Sequence, residues 1–598
     1  MIRKLLTLLI ITFLTISLSG YSQTYYVSNT GSDSYSKVQA QNIATPWKTI
    51  QHACNNATPG TTIQIMAGTY YEQDTVSVSG SAIGGYITLT NYKGGNVVLN
   101  GNGAAVQLLT ISSKNYIKIN GLEFYNCVGN NTSIGIFIDG VSNYITISNC
   151  TIHHIYWNTT FSAIPNTNDN VNPLIVYGDS NTPLRNLTIQ GNHFYDNAPG
   201  FSEVCSVNGN VDGFSIIDNI LDSNANIGID MEGNEGVSPN PATDHARNGL
   251  VKGNTVYKCH SIYDSSAAGI YVDGGINITI EQNASYNNDW GIEVGCETPG
   301  DTTAGITVRD NMIYRNGMAG MQVGGYDGPV NTGRVINSTI SNNTFFNNDT
   351  LAEGNGELSL SYSEHGSFYN NIFYSASNTI TSAGWNGGNS LAFKFDYNTY
   401  YVIHGDSMNA SFSYGTYSYT GFSSYKTGSG FDGHSIFKDP SLTDTSRSVL
   451  NFRLLPVSTC INGGMPGWPV DTSERDFYGE TRIISGRIDI GADEYQSTTG
   501  LPVIGDMENI RLYPNPNNGQ FTIEVKGVDE KAKIEIYNML GEKMCTIQLN
   551  SSNKGTSVTL ISLTKGEGLI NVPTGVYFYR IMTESGNLIS EGKFIIQK

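Results

Sequence analysis

Three short stretches hold side chains that can move protons: NIGIDMEGNEG (Asn226–Gly236), AGIYVDGG (Ala268–Gly275) and WGIEVGCE (Trp290–Glu297). Each carries a Gly-Ile pair followed by strict alternation, the two-residue period of a β-strand with one buried face. Aligning the Gly-Ile pairs puts Ile229/Met231, Ile270/Val272 and Ile292/Val294 on the inner face, and Asp230/Glu232, Tyr271/Asp273 and Glu293/Gly295 on the outer one. Strands stacked in register lie about 4.8 Å apart, and positions i and i+2 about 6.6 Å apart. Four carboxyl groups and a tyrosine then share one small outward, solvent-facing patch. Glycoside hydrolysis needs two carboxyl groups astride the scissile bond, one protonated and one ionised. Asp230 and Glu293 stand two strand spacings apart, about 9.6 Å, and the Asp273–Glu293 diagonal is about 8 Å. Side-chain reach brings either pair into the inverting range of about 6.5–9.5 Å.

Asp230, Asp273 and Glu293 are therefore the catalytic candidates, with Glu232, Tyr271 and Trp290 as substrate-binding residues, Trp290 by stacking on a sugar face. The insertion Asn234–Asn248 enters directly after the first acidic strand and carries Glu235, Asp244, His245 and Arg247. It is expected to lie over the patch and to add His245 and Arg247 to substrate binding, with Glu297–Thr303 as a second wall. A rival chemistry is calcium-dependent β-elimination on a uronic acid, with Asp230, Glu232 and Asp273 as metal ligands. Calcium is the one cofactor these residues suggest, and only under that alternative. No Lys or Arg occupies the outward columns, so the base would be His245, Arg247 or Lys258. A third class is a non-enzymatic surface adhesin that binds glycan. The outward positions of other coils, Phe137/Asp139, Ile175/Tyr177, Ser206/Asn208, Gln322/Gly324 and Ser359/Ser361, are far less acidic, and this central focus favours an enzyme.

The patch needs a scaffold that stacks strands in register. An Asn recurs before an apolar pair at Asn192, Asn219, Asn254, Asn283, Asn311, Asn343 and Asn371, with Cys150 in the equivalent place one copy earlier. The spacings, 42, 27, 35, 29, 28, 32 and 28 residues, suit a coil of three short strands and three turns, the longer gaps being loops inserted on one face. Stacked, these residues form an asparagine ladder, and Asn also tolerates the left-handed bend expected there. Trp47, Ile50 and Cys54 have helical spacing over Trp47–Ala57, and a short helix there would cap the first coil. After Phe373 the marker fades, and residues 376–496 are expected to finish the array and cover its C-terminal end, with Asp432, His434, Asp439 and Asp489 on turn and cap duty.

The chain has 598 residues, with 67 Gly, 36 Tyr and only 14% charged residues, a composition of turn-rich β-structure. A net charge of −19 disfavours nucleic acid and anionic membrane as partners, which need a basic footprint. Residues 1–22 read as a signal peptide, and no other stretch is long and apolar enough to span a membrane. The eight cysteines lack CxxC spacing and are expected as buried free thiols.

The opening YYVSNTGSDS…TPWKTIQ…PGTTIQIMAGTY and the Asn-marked coils resemble the right-handed parallel β-helix of the pectate-lyase-like superfamily over roughly residues 24–490. The resemblance implies an all-β chain: an N-terminal capping helix, a β-helix of roughly ten coils over 23–496 with central coils at 130–375, and a carbohydrate partner, polysaccharide or oligosaccharide. A linker at 497–508 leads to residues 509–598, whose short alternating strands and Gly-rich turns make a small β-sandwich. Tyr513-Pro514-Asn515-Pro516, Gly519, Tyr537-Asn538, Gly541, Gly575-Val576-Tyr577 and Lys593-Phe594 resemble the C-terminal sorting domain of type IX secretion substrates in Bacteroidetes, apart from an extension at Thr564–Asn571. This implies a protein handled by the type IX machinery, passed through the outer membrane and secreted or held at the cell surface; a monomer is expected. Deletion of Asn509–Lys598 is expected to leave the protein in the periplasm while the purified β-helix keeps its activity; fractionation and immunoblotting check it, and normal surface delivery of the truncated chain refutes it.

Overall fold

The alternation seen in the acidic stretches runs through most of the first 400 residues, and each repeat buries its apolar face against the same face of the next. The computed structural model describes residues 23–384, 392–446, 450–470, 474–484 and 486–496, and in the tail 510–513, 517, 519–526, 532–538, 543–548, 556–562, 575–583 and 588–596. The expected signal peptide (1–22), linker (497–508), Pro514–Pro516, Gly541 and the Thr564–Asn571 extension lie outside the described residues. The chain forms two compact units, one ending at Gln496 and one beginning at Ser497.

The first unit is a right-handed parallel β-helix. Most of its strands fall into three sheets of 13 strands each; in the central coils up to Gly295 every third strand returns to the same sheet, and beyond it Thr302–Ala304, Arg334–Ile336 and Ser363–Glu364 add a short fourth sheet. The array is longer than the roughly ten coils expected: three strands of one sheet, Gly68–Tyr70, Val97–Ala104 and Glu123–Val128, precede the first marked coil at Cys150. In the sheet that carries the acids, Leu174, Cys205, Ile229, Ile270, Ile292, Met321 and Leu358 stack in one inner column. Val176, Val207, Met231, Val272, Val294, Val323 and Leu360 form the next, and every member of both columns is buried. Fully burying an aliphatic side chain contributes about 1.5–3 kcal/mol, so slipping one strand by a residue would expose its whole inner set.

The asparagine ladder runs without a break from Asn192 through Asn219, Asn254, Asn283, Asn311, Asn343 and Asn371. At each step the backbone N–H and the Nδ2 of one Asn donate to the Oδ1 of the next, and the same Nδ2 reaches a strand carbonyl of the preceding coil, as Asn254 Nδ2 does to Ile216 O at 2.9 Å. Cys150 heads the ladder by donating its N–H to Asn192 Oδ1 at 2.9 Å. The left-handed bend belongs to the residue before each Asn rather than to the Asn: Gly191, Asp218, Gly253, Gln282 and Asp310 have φ of 65°, 54°, 66°, 57° and 56°. The Asn is selected for its side-chain bonds alone. Asn398 extends the ladder one coil past Asn371, where Asp432 and Ser435 terminate it. A second ladder lies parallel to the first: Asn197 bonds Asn224, Cys259 bonds Asn288, then Asn316 and Asn348 follow, ending on the buried Glu357.

Both ends are closed. The N-terminal helix spans Ile50–Asn56, shorter than expected, capped by Thr49 and burying Ile50, Ala53 and Cys54. Trp47 lies outside it, fully buried, its indole N–H bonded to Tyr35 O at 2.7 Å. At the other end the helix Phe422–Ser429 turns Phe422 and Tyr425 into the core. Asp432 accepts from Asn398, Tyr400, Tyr425 and Ser435, Asp489 from the N–H groups of Asn462 and Tyr495, and His434 pairs with Asp396. Beyond Asp439 the chain does not cover the C-terminal end. It folds back along a flank of the β-helix, where Leu442, Phe452, Leu454, Cys460 and Ile490 pack with Met312, Phe346, Ile372 and Tyr374. Seven of the eight cysteines are buried and all are free.

The second unit is a sandwich of a three-stranded and a four-stranded antiparallel sheet around Phe521, Ile523, Ile534, Ile536, Tyr577, Ile581 and Phe594. No described helix is long and apolar enough to cross a membrane.

Asn283→Ala removes the acceptor of the Asn254 N–H and the donor to Val251 O. A buried amide left without a partner costs about 1–3 kcal/mol. Hydrogen exchange at the Asn254 amide is expected to accelerate about tenfold or more; unchanged protection would show that the ladder adds nothing to coil stability.

Candidate functional site

The register of the acidic sheet is the one the Gly-Ile alignment requires. Ile229 pairs with Ile270 and Asp230 with Tyr271; Ile270 pairs with Ile292, Tyr271 with Glu293 and Asp273 with Gly295. One outward column thus reads Ser206, Asp230, Tyr271, Glu293, Gln322 and Ser359. Gly295 is small for a reason: a Cβ there would lie 2.8 Å from the Tyr271 hydroxyl.

The expected solvent-facing patch is instead the floor of a cleft of about 710 Å³. Asp230, Tyr271, Asp273 and Glu293 are 3, 3, 6 and 8% exposed, Glu203 and Glu232 are half-buried, and Glu235 and Glu297 stand exposed at the rim. Loops roof over the strand face, so substitutions here act on buried groups and not on a solvated surface. The insertion after Glu232 and the segment after Cys296 do form walls, and they meet where Thr298 Oγ1 approaches Asn234 O and Glu235 Oε1, both at 3.4 Å. Trp290 lines the cleft as expected.

His245 and Arg247 do not. The insertion turns back towards a neighbouring sheet, where His245 Nδ1 donates to Gly274 O at 2.9 Å and Arg247 bonds Asn210 Oδ1 at 2.8 Å and flanks Asp212. They hold the loop and leave the cleft, which corrects their assignment to substrate binding. Asp244 is likewise structural, its carboxylate accepting the N–H groups of Gly236 and Ser238. The opposite wall was missed from sequence: Glu203, Phe201 and Tyr263 come from loops that precede the strands, and Phe201 stacks on Tyr263 at 4.3 Å. Tyr326 and Gln322 complete it.

The carboxyls differ in what they bond. Glu232 accepts from Ser206 Oγ and Asn208 Nδ2. Asp273 Oδ1 accepts the Glu297 backbone N–H at 2.6 Å. Asp230 Oδ1 has no partner. Burial, reinforced by the charge of Glu232, pushes Asp230 and Glu203 well above the usual carboxylate range. Burial and Glu297 raise Asp273, against the pull of its N–H donor. Burial lifts Glu232 to about 7 and, with Glu297, Glu293 to about 8. Among the described residues, the one set of three acids whose oxygens lie within 4.8 Å of one another is Asp476, Glu480 and Asp493, outside the cleft, with Glu480 and Asp493 already paired with Arg453. Asp230, Glu232 and Asp273, the metal ligands expected under the elimination reading, do not form such a set.

Over 438 residues, 70% of this chain and 88% of the other, the sequence is 33% identical to the uncharacterized protein YwoF of Bacillus subtilis (strain 168). The chain belongs to the YwoF family. Residues 511–597 match the secretion system C-terminal sorting domain, so this member is a type IX substrate delivered to the cell surface or beyond it. Among solved structures, pectate lyase Pel9A aligns over 79% of this chain and 96% of its own at 15% identity and a TM-score of 0.38. The GH136 lacto-N-biosidase from Eubacterium ramulus aligns over 64% and 68% at 12% identity and a TM-score of 0.43.

Glu232 and Glu293 hold protons more tightly in the folded chain than unfolded, where a Glu titrates near about 4.3. Their stabilising effect is complete below that pH and is lost as the pH rises through about 7 and about 8. The melting temperature is expected to fall between about pH 5 and pH 8, and Glu293→Gln to flatten the upper part of that fall and raise the melting temperature near pH 8. An E293Q protein that declines as steeply as its parent would dissociate this carboxyl from the effect.

Proposed function

We propose that the chain is a secreted carbohydrate-active enzyme that hydrolyses glycosidic bonds in a polysaccharide or oligosaccharide, with Asp230 as proton donor and Asp273 as general base. The observation that carries this reading is the contrast between the two groups. Asp230 is buried with a bare oxygen and strongly raised, and so keeps its proton near neutrality. Burial and Glu297 raise Asp273 as well, but it accepts a backbone N–H that opposes the shift, a donor that Asp230 Oδ1 lacks. They project from adjacent strands on one face, offset by one spacing across and one i+2 step along, about 8 Å. From that backbone offset, side-chain reach can hold the two carboxyl groups in the inverting range of about 6.5–9.5 Å, with room for a water. Asp230 gives its proton to the glycosidic oxygen as the carbon–oxygen bond breaks. Asp273 takes a proton from the water whose oxygen bonds the anomeric carbon from the opposite face. Glu293, across Tyr271 from Asp230, supports the protonated state of the site and contacts the sugar; Trp290 supplies an apolar face.

Elimination on a uronic acid needs a base and a counter-charge for the substrate carboxylate. The residues lining the cleft include no Lys, Arg or His, which favours hydrolysis over that alternative. Digestion of a glycan panel, read by reducing ends and by absorbance of unsaturated uronates with and without chelator, is expected to give saturated products that form despite chelation. Asp230→Asn and Asp273→Asn, assayed separately, are each expected to lower kcat by about 10²–10⁴-fold. Full activity in either variant would remove that residue from the pair, unsaturated products would establish elimination, and the absence of any cleavage would favour the adhesin.

A further inference from the structure

Eight carboxyl side chains line the cleft, and no Lys, Arg or His is among its lining residues. Among the described residues none of the eight forms an ion pair. Some acids elsewhere in the β-helix are matched by cations: Glu281 lies between Lys252 and Arg309, and Asp212 between Arg185 and Arg247. Glu357 and Asp432 are buried without a cation but are held by neutral donors, whereas the cleft gathers eight carboxyls and leaves an oxygen of Asp230 bare. A second, independent sign is Asp230 Oδ1, an acceptor on a side chain only 3% exposed that finds no donor within the protein. A buried acceptor without a partner is costly, and its satisfaction is available to a ligand. The third is the aromatic content of the walls: the stacked Phe201 and Tyr263 line the same space with Trp290 and Tyr326. Carboxylates together with aromatic faces are the chemistry that holds an ammonium group, by charge-assisted hydrogen bonds and by cation–π attraction.

We propose that the cleft selects a sugar bearing a free amino group, so that its substrates are glycans with unacetylated glucosamine or galactosamine units. This rests on the hydrolase reading and names the substrate class for it. An ammonium has three donors and no acceptor, which matches a lining rich in acceptors. One of those donors would reach Glu232, leaving Asp230 to the glycosidic oxygen, and the positive charge would draw the rim residues Glu235 and Glu297 into their ionised state. An N-acetyl group offers neither the charge nor the three donors. A uronate would add a negative charge to a site that holds too many.

The test is calorimetry on the full-length Asp273→Asn protein, which keeps Asp230 in place and does not consume the ligand. Four probes are compared: glucosamine hexamer, galactosamine hexamer, N-acetylglucosamine hexamer and galacturonate hexamer, with calcium chloride alone as a fifth titration. One of the two amino oligomers is expected to bind at least tenfold more tightly than both the acetylated and the uronate oligomers, with the margin shrinking as salt is raised. Glu235→Gln and Glu297→Gln, at the exposed rim where folding is not at risk, are expected to reduce that margin severalfold. Equal or tighter binding of the acetylated or uronate oligomer, a requirement for calcium, or no binding of either amino oligomer overturns the proposal. Cleavage tells the two readings apart. A wild-type protein that hydrolyses neutral glycans without preferring amino sugars ends the substrate inference and leaves the hydrolase. Tight, selective binding of an amino oligomer that the wild type never cleaves ends the hydrolase reading and leaves a charge-selective glycan site.

Discussion

The coil-to-coil register is the constraint on which everything else depends. Parallel strands from successive coils pair one above another, and each pairing fixes which side chains share a column. Two interactions enforce it from inside: the stacked aliphatic columns, which cannot slip by one residue without turning outward, and the asparagine ladders, whose donors and acceptors close only when coils are in step. An Asn that bonds the next Asn and a strand carbonyl of the previous coil ties three coils together. Because the interior is specified this tightly, the outward column of the central coils can hold groups that are unfavourable for stability. Asp230, Tyr271 and Glu293 are such a set: a bare buried carboxyl, a buried phenol and a carboxyl raised to about 8, in consecutive coils.

Much of this was legible in the sequence because a strand writes its burial pattern with a period of two. The Gly-Ile pairs gave the pairing Asp230–Tyr271–Glu293, and the Asn markers gave the ladder through Asn371. What was not legible has specific causes. The second ladder, five residues after the first at Asn197, Asn224, Asn288, Asn316 and Asn348, was hidden because Cys259 interrupts it and the first ladder already accounted for the repeat. The left-handed bends fall one residue earlier than expected, since the Asn side chain is committed to the ladder and its neighbour must turn the chain. Burial of the acids could not be read from the strands, because loops remote from them impose it.

Those loops also explain which site residues were found and which were misplaced. Sequence proximity to an acidic strand places a loop near the site but does not say which way its side chains turn. Glu235 enters the rim, whereas His245 and Arg247, ten and twelve positions further on, already belong to the chain's return to another sheet. Glu203, Phe201 and Tyr263 lie ahead of their strands, and no periodic signal marks them. A search that weighs the residues leading into each acidic strand as heavily as those leaving it would have included them.

The segment that folds back along the flank has a bearing on how the middle of the protein is completed. Arg309 in the middle of the array pairs with Glu474, which follows it by 165 residues, and the fully buried Arg482 reaches back to Asp310. Without the residues around 474–494 the central coils would keep an unmatched Asp310 and a bare apolar flank. The middle of the stack is therefore completed by the last part of the β-helix in the chain, immediately ahead of the sorting domain, so that a truncation there would strip the centre of the array and not merely its end.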